Sequence, residues 1–500
     1  MRRFTSVSLF GLRQISFAAA AVRAPAFLLL PLASLAVLAG SSAHAQTTSF
    51  TATTGNYLTG TNWTPGVPSG SINAAINTNR TAQLAGAAPT INSGFNLSVG
   101  SSGGTRGTLE LNTGADLTVN GIVDIRSNGL AGSGNSGVVN HNGGTLTVGQ
   151  INVGSGLASG QTPANTDPGR YNLAGGTLTA TTLNLTPNSS RGEMVVSGGT
   201  ATVTTMTIGN NGGAGELTIS GGAVNVSGAF SFNAQGGTNL GTSIVSVSAG
   251  SLTLSPGSSF SIPFTLASVN AKRLDVSGSG VVNLGGRSTT WANNGSSSEY
   301  GYVNVTGGAL NFQNANFTPS NGSTFTGGKI TGLNTLQNNV MTINGAEFHV
   351  GSNTAAASTT ATSSLAGLAF NLTGGSMVFG AFGNNSADLF SKGSASSANL
   401  GGGSIVLDFA YTPQVGDVYN LVDWAGTAPT LSAANISPAS YDGLLNVTYD
   451  TARWVSHGEL TVQNVVIVPE PGTLALLAAG AGGAMILRRW KCRTAGSRPE

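Results

Sequence analysis

Few residues in this chain could do chemistry, and their spacing decides what chemistry that would be. Three histidines lie between Gln46 and Val468, at His141, His349 and His457. None falls in a His-x-His or His-Glu-x-x-His spacing, the arrangements that place two imidazoles on one zinc ion. Each reads as a satisfied polar or surface histidine. Asp124 and Arg126 are two apart, so on a strand they share one face while Val123 and Ile125 take the other. Lys272-Arg273-x-Asp275 repeats the pattern. A glycoside hydrolase or polysaccharide lyase needs several such groups converging on one face. Isolated pairs read as solvated ion pairs, worth under about 1 kcal/mol each. The densest acidic group is Asp408, Asp417, Asp423, Asp442 and Asp450, which alternate with apolar residues. They read as turn or surface acids, with a calcium site as the alternative; the Gly-Gly-x-Gly-x-Asp calcium repeat is absent. Serine is too abundant for any Ser/His/Asp grouping to be informative, and the glycine-rich stretch 209–215 lacks the lysine of a phosphate loop. The one cysteine is Cys492, so residues 46–468 hold no disulfide, thiolate ligand or thiol nucleophile. The expectation is a non-enzyme with no catalytic residue, no metal and no cofactor.

The elements that carry these residues form a repeat. Its unit is an alternating apolar strand, a Gly-Gly or Gly-Ala turn, and a second alternating strand. Copies include Leu109–Val119, Val138–Val148, Tyr171–Ala180, Met194–Val203 and Leu217–Val226, with looser ones at 245–254, 303–312 and 370–379. A third short strand follows, as in Ile151–Gly154 or Met206–Gly209. Three strands in some 23 residues make one coil of a parallel β-helix. Period-2 alternation turns one apolar set inward. Glycine supplies positive φ or close backbone approach at the corners. Thr and Asn on the outer face can hydrogen-bond from coil to coil. Around a dozen coils about 4.8 Å apart would give a rod of roughly 60 Å. The repeat resembles the autotransporter-type β-helix repeat of exported bacterial proteins.

The fold class expected is therefore all-β, a right-handed parallel β-helix with a C-terminal β-rich cap. A signal helix would precede it and a short transmembrane helix would follow. Residues 46–80 read as an N-terminal cap in which Trp63 packs, 81–400 as the β-helix and 401–467 as the C-terminal cap, where strands are better spaced and richer in aromatics.

Both termini carry targeting features. Arg2, Arg3, Arg13 and Arg23 precede an apolar stretch, 24–40, and Ala43-His44-Ala45 is a small-x-small cleavage site, so residues 1–45 read as a signal peptide and the mature chain begins at Gln46. At the other end stand Val468-Pro469-Glu470-Pro471-Gly472-Thr473, an uncharged run Leu474–Leu487, and Arg488-Arg489-Trp490-Lys491-Cys492-Arg493. The prolines lock φ and remove two backbone donors, leaving an extended, accessible segment. Arg488, Arg489 and Lys491 form a membrane stop that holds the far end, including the tail 494–500, in the cytoplasm. The run is shorter than the roughly 20 residues of an ordinary span. These segments carry the chain's basic excess: eleven basic and sixteen acidic residues lie between Gln46 and Val468, a net charge of −5. Nucleic-acid binding therefore has no support.

Residues 468–493 closely resemble the PEP-CTERM sorting signal of Gram-negative bacteria. The resemblance implies that Pro469, Glu470 and Pro471 are read by an exosortase, an integral membrane cysteine transpeptidase, and that the chain is its substrate. Signal peptidase and exosortase would be the processing partners, with transient anchoring in the inner membrane followed by display at the cell surface or in extracellular matrix. The function expected is structural or adhesin-like, in association with exopolysaccharide or other surface proteins. A carbohydrate-active enzyme on the same scaffold is the rival expectation, favoured by converging acids. A glycan-binding module using Trp63, Trp291, Tyr300 and Tyr302 is another, favoured by exposed coplanar rings.

Overall fold

The computed structural model describes residues 46–468, except 101–104, 128–135, 156–166, 188–189, 210–212, 233–242, 257–259, 262–271, 292–300, 321–322, 352–359 and 368. The architecture is a parallel β-solenoid of about 11 turns. Each turn contributes to three stacked sheets, and almost every pairing between turns is parallel. In the first sheet Gly107–Leu111, Val138–His141, Gly169–Leu173 and Arg191–Val196 follow one another in register. The second and third sheets share long strands that bend at a corner, such as Asp116–Arg126 and Thr145–Ser155.

The alternation seen in the sequence sets the two faces. Leu117, Leu146, Leu178, Ala201, Val224 and Leu252 occupy one inward column of the second sheet and are essentially fully buried. Burying each larger aliphatic side chain contributes roughly 1.5–3 kcal/mol. The neighbouring outward column runs Thr118, Thr147, Thr179, Thr202, Asn225 and Thr253, every one at least partly exposed. Where Asn recurs at the same level, side chains bond from turn to turn: Asn172 Nδ2 donates to Asn140 Oδ1 (2.9 Å) and Asn184 Nδ2 to Asn152 Oδ1 (3.0 Å).

The paired glycines at the first corner have separate tasks. The second of each pair is left-handed, as at Gly199 and Gly222, both with φ +66°. The first is pressed against the turn below: a Cβ on Gly221 would lie 2.4 Å from the Ser197 carbonyl oxygen. Neither position has room for a side chain, which accounts for the pattern.

Parallel pairing begins at Thr47–Phe50, which also pairs antiparallel with Trp63–Thr64. Trp63 is buried there between Phe50 and Tyr57, with its Nε1 donating to the Tyr57 carbonyl (2.6 Å). At the other end Ser404–Phe409 and Val422–Trp424 still extend the solenoid ladders. Beyond them Val418–Asn420, Leu445–Asp450 and Glu459–Ile467 form a separate antiparallel sheet with Glu459–Ile467 in the middle. Tyr419, Val447, Trp454, Leu460 and Val462 tie this sheet into the same continuous core. Among the described residues no helix is long and apolar enough to cross a membrane. The signal segment and the run Leu474–Leu487 lie outside the described residues.

Candidate functional site

The sorting-signal residues Pro469, Glu470 and Pro471, the stop residues Arg488, Arg489 and Lys491, and Ala43 and Ala45 all lie outside the described residues; Gln46 is exposed at their start. The chemistry-bearing residues within the solenoid can be placed. Asp124 and Arg126 pair on the outer face of the third sheet at 3.0 Å, and Arg273 and Asp275 on that of the first at 2.6 Å. Both are partly exposed, so their worth stays small. Lys272 departs from the expectation of a solvated pair: it is only 2% exposed, in a column otherwise filled by Gly192, Gly215, Ser243 and Gly301.

The five acids of the C-terminal region are spread over several turns. The Asp417 carboxylate accepts from Tyr411 Oη (2.7 Å) and the Gln414 amide (2.8 Å), Asp442 from the Leu444 amide (3.0 Å), and Asp450 from the Ala452 amide (2.9 Å). Such contacts stabilise turns. No group of three or more His, Cys, Asp and Glu side chains is placed to hold a metal ion among the described residues.

Asp408 and His349 belong to a different grouping, one the sequence did not suggest. Lys329 and Glu347 stand 18 positions apart but on adjacent turns of the second sheet, directly in register. Tyr441 reaches them from a loop whose Ser437 and Tyr441 amides bond to the Ile405 and Leu407 carbonyls (2.8 and 2.9 Å). Lys329 Nζ donates to Tyr441 Oη, which donates to Glu347 Oε2 (2.9 Å). The same oxygen lies 3.7 Å from Lys329 Nζ and 3.3 Å from His349 Nε2. Burial holds the His349 imidazole below its ordinary pKa, against the opposing pull of Glu347. Burial likewise raises the Asp408 carboxyl and the Tyr441 phenol. The hydrogen bond to Tyr441 raises Lys329. The arrangement gathers the Lys329 ammonium, the Tyr441 phenol and the His349 imidazole around the Glu347 side chain, with Asp408 close to His349.

Two turns further along the solenoid is an open groove of about 520 Å³, lined by Gly375, Gly402, Gly403, Ser404, Asn435 and Ser437 among others. Ser404 is two turns from Glu347 in the same column, through Ser376. The groove itself offers hydroxyl, amide and backbone groups, and Lys329, Glu347, His349 and Tyr441 are not part of its lining. That chemistry suits a polar ligand rich in hydroxyls.

Several ionisable groups are wholly internal. His141 occupies an inward position of the first sheet between Leu111 and Leu173, bonded through Nδ1 to Tyr171 Oη (2.7 Å) and Nε2 to the Gly144 carbonyl (3.3 Å). Lys392 fills an inward position between Leu365 and Trp424; its ammonium donates to the carbonyls of Gly393 (3.0 Å), Ser396 (2.8 Å) and Ala425 (3.2 Å). The Asp388 carboxylate, 2% exposed, accepts from the Ala361 and Gly380 amides, and burial raises its pKa to about 6. All three are tied to partners within the fold and none opens on the groove's lining.

Trp63 and Trp291 are buried, at 3% and 1% exposure, so neither ring offers a face for sugar stacking. Tyr302 is part-buried, and Tyr300 lies outside the described residues.

Fold and site together define an all-β protein of the parallel β-solenoid class, with a polar laddered exterior that carries mixed-charge clusters, among them Arg170, Arg191, Glu193 and Glu216 on the first sheet and Lys329, Glu347 and His349 toward the C-terminal end. No family model, no curated protein and no solved structure matches the chain.

Proposed function

We propose that this is an exported structural or adhesin-like protein, sorted by an exosortase and displayed at the cell surface or in the extracellular matrix of a Gram-negative bacterium. On this reading residues 1–45 are removed by signal peptidase. The run Leu474–Leu487 anchors the chain in the inner membrane as a short helix until the Pro469-Glu470-Pro471 segment is recognised. The solenoid is right-handed, the hand that parallel crossovers favour. The observation that carries the reading is the outer surface. Columns of Thr and Asn run over many turns with few charges, and some of their amides and hydroxyls already bond from turn to turn, as Asn184 to Asn152 and Thr324 to Asn304. Such a surface suits repeated weak contacts with exopolysaccharide or with other surface proteins. No cofactor is needed.

Co-sedimentation with exopolysaccharide purified from the native host tests this. Saturable binding, weakened by charged substitutions at Thr179 and Thr202, is the expected result. Absence of binding together with normal matrix assembly in a deletion strain would remove the structural reading. A carbohydrate-active enzyme is the second reading, favoured by the gathering of Lys329, Glu347, His349 and Tyr441 two turns from Ser404 of the groove. Release of oligosaccharide that Tyr441→Phe abolishes would select it.

A further inference from the structure

The antiparallel sheet ends in an unusual surface. Eight large apolar side chains are exposed among the described residues, and four of them lie at one spot: Leu444 (44%), Val466 (50%), Ile467 (70%) and Val468 (40%). They meet because Leu445 pairs with Ile467 and the Val468 amide donates to the Leu444 carbonyl (2.8 Å). Successive strand residues point to opposite faces. Val466 and Ile467 are both at least half exposed, so neither face of this strand tip is covered. The other four, Leu58, Val340, Val415 and Val455, lie apart from this spot in the sequence. The flanking stretches 444–449 and 461–468 carry no charged side chain; the acid against the patch is Asp442, whose carboxylate accepts from the Leu444 amide (3.0 Å) and would keep its water at headgroup depth.

The chain leaves this tip directly into Pro469-Glu470-Pro471, and the uncharged run begins at Leu474. Leu474 is six positions beyond Val468, a reach of at most about 21 Å. Whatever holds the run therefore holds the tip close by. We infer that Leu444, Val466, Ile467 and Val468 form a foot that rests in the headgroup region of the lipid bilayer. The foot sets the last sheet on the membrane and keeps the Pro-Glu-Pro segment at the membrane surface. This rests on the proposed anchoring of Leu474–Leu487. It adds a second contact that would fix how the sheet sits. The committed occupant is lipid; a second copy of the chain is the competing one.

The test uses the full chain with Cys492→Ser, reconstituted in phosphatidylethanolamine/phosphatidylglycerol vesicles. Single cysteines carry an environment-sensitive dye: Ile467→Cys for the foot, Ala481→Cys for the run and Thr202→Cys for an outer-face control. Lipids brominated near the headgroup or deep in the acyl chain act as quenchers. The expected result is deep quenching at 481, shallow quenching and a blue shift at 467, and neither at 202. Adding Leu444→Ser and Val466→Ser should cut quenching at 467 to the level of 202 while 481 is unchanged. Quenching at 481 with a solvent-like probe at 467 would overturn the foot alone. A solvent-like probe at 481 would overturn the anchoring and the foot together. A blue shift at 467 that brominated lipid does not quench, and that grows with protein density, would assign the patch to a second copy and overturn the lipid contact.

Discussion

Replacing His141 by leucine should reveal what a polar group inside this solenoid costs and what holds it there. His141 interrupts an apolar column between Leu111 and Leu173. Its Nε2 faces a carbonyl, so Nε2 carries the proton and Nδ1 accepts from Tyr171 Oη (2.7 Å). The neutral imidazole satisfies both partners, and burial accordingly holds its pKa below the ordinary value. In His141→Leu the Gly144 carbonyl keeps the Thr177 amide as donor (2.9 Å). The Tyr171 hydroxyl, fully buried, would be stranded, which costs about 1–3 kcal/mol. Tyr171→Phe alone strands Nδ1 at a similar cost. The double variant removes both polar groups and should return to within about 1 kcal/mol of the parent, a coupling of about 1–3 kcal/mol. Because repeat arrays open locally, the assay is hydrogen exchange at the amides of 139–141 and 171–173, read as local opening free energy. The pH dependence adds an independent check. The folded pKa of His141 lies below its unfolded value near 6.5, so the unfolded chain binds the extra proton. Its contribution is present above about pH 6.5 and is lost as pH falls through and below that value. His141→Leu should flatten that part of the profile. Additive single effects, or a profile unchanged by His141→Leu, would refute the reasoning.

Other sites give further expectations. Gly222→Ala should destabilise by more than about 1 kcal/mol, because φ is +66° and the new Cβ would lie 2.5 Å from the Gly199 carbonyl oxygen, whereas Gly60→Ala, with open space, should change little; thermal unfolding compares them. Glu347→Gln should drop the His349 pKa further, since the carboxylate opposes the lowering by burial; imidazole proton shifts across a pH titration measure it. The Asp388 carboxyl should titrate near 6 by carbon NMR, and since this is above its unfolded value of 3.8, its stabilisation is present below pH 3.8 and is lost as pH rises through about 6.

Much of the fold is legible in the sequence because its rules are local. Alternation at 109–119, 138–148 and 194–203 gives the inward and outward faces directly, and the glycine pairs mark the corners. Register supplies the rest, and it is not local. Lys329 and Glu347 become neighbours only once one turn is known to span those 18 positions, and Tyr441 lies a further 94 residues on. A motif search sees no spacing there. The same lack of local signal hides Lys392 and Asp388. A lysine at an inward strand position looks like a break in the pattern until the carbonyls of Gly393, Ser396 and Ala425 are seen around it. The pattern alone reads His141 as a satisfied polar or surface histidine and does not say that it lies in the core. The converse holds for the tail: Pro469, Glu470 and Pro471 are conspicuous in the sequence, and on the proposed reading their role depends on an enzyme outside this chain.

The proposed route of export and sorting is tested most directly by intact-mass measurement of the protein from its native host, with and without the exosortase. The account predicts a wild-type mass for a chain that begins at Gln46 and has lost the basic end beyond Leu487. In the exosortase-deficient strain, the Ala495-Gly496-Ser497-Arg498-Pro499-Glu500 terminus should persist. Finding that terminus intact on the mature protein in the wild-type host would contradict it.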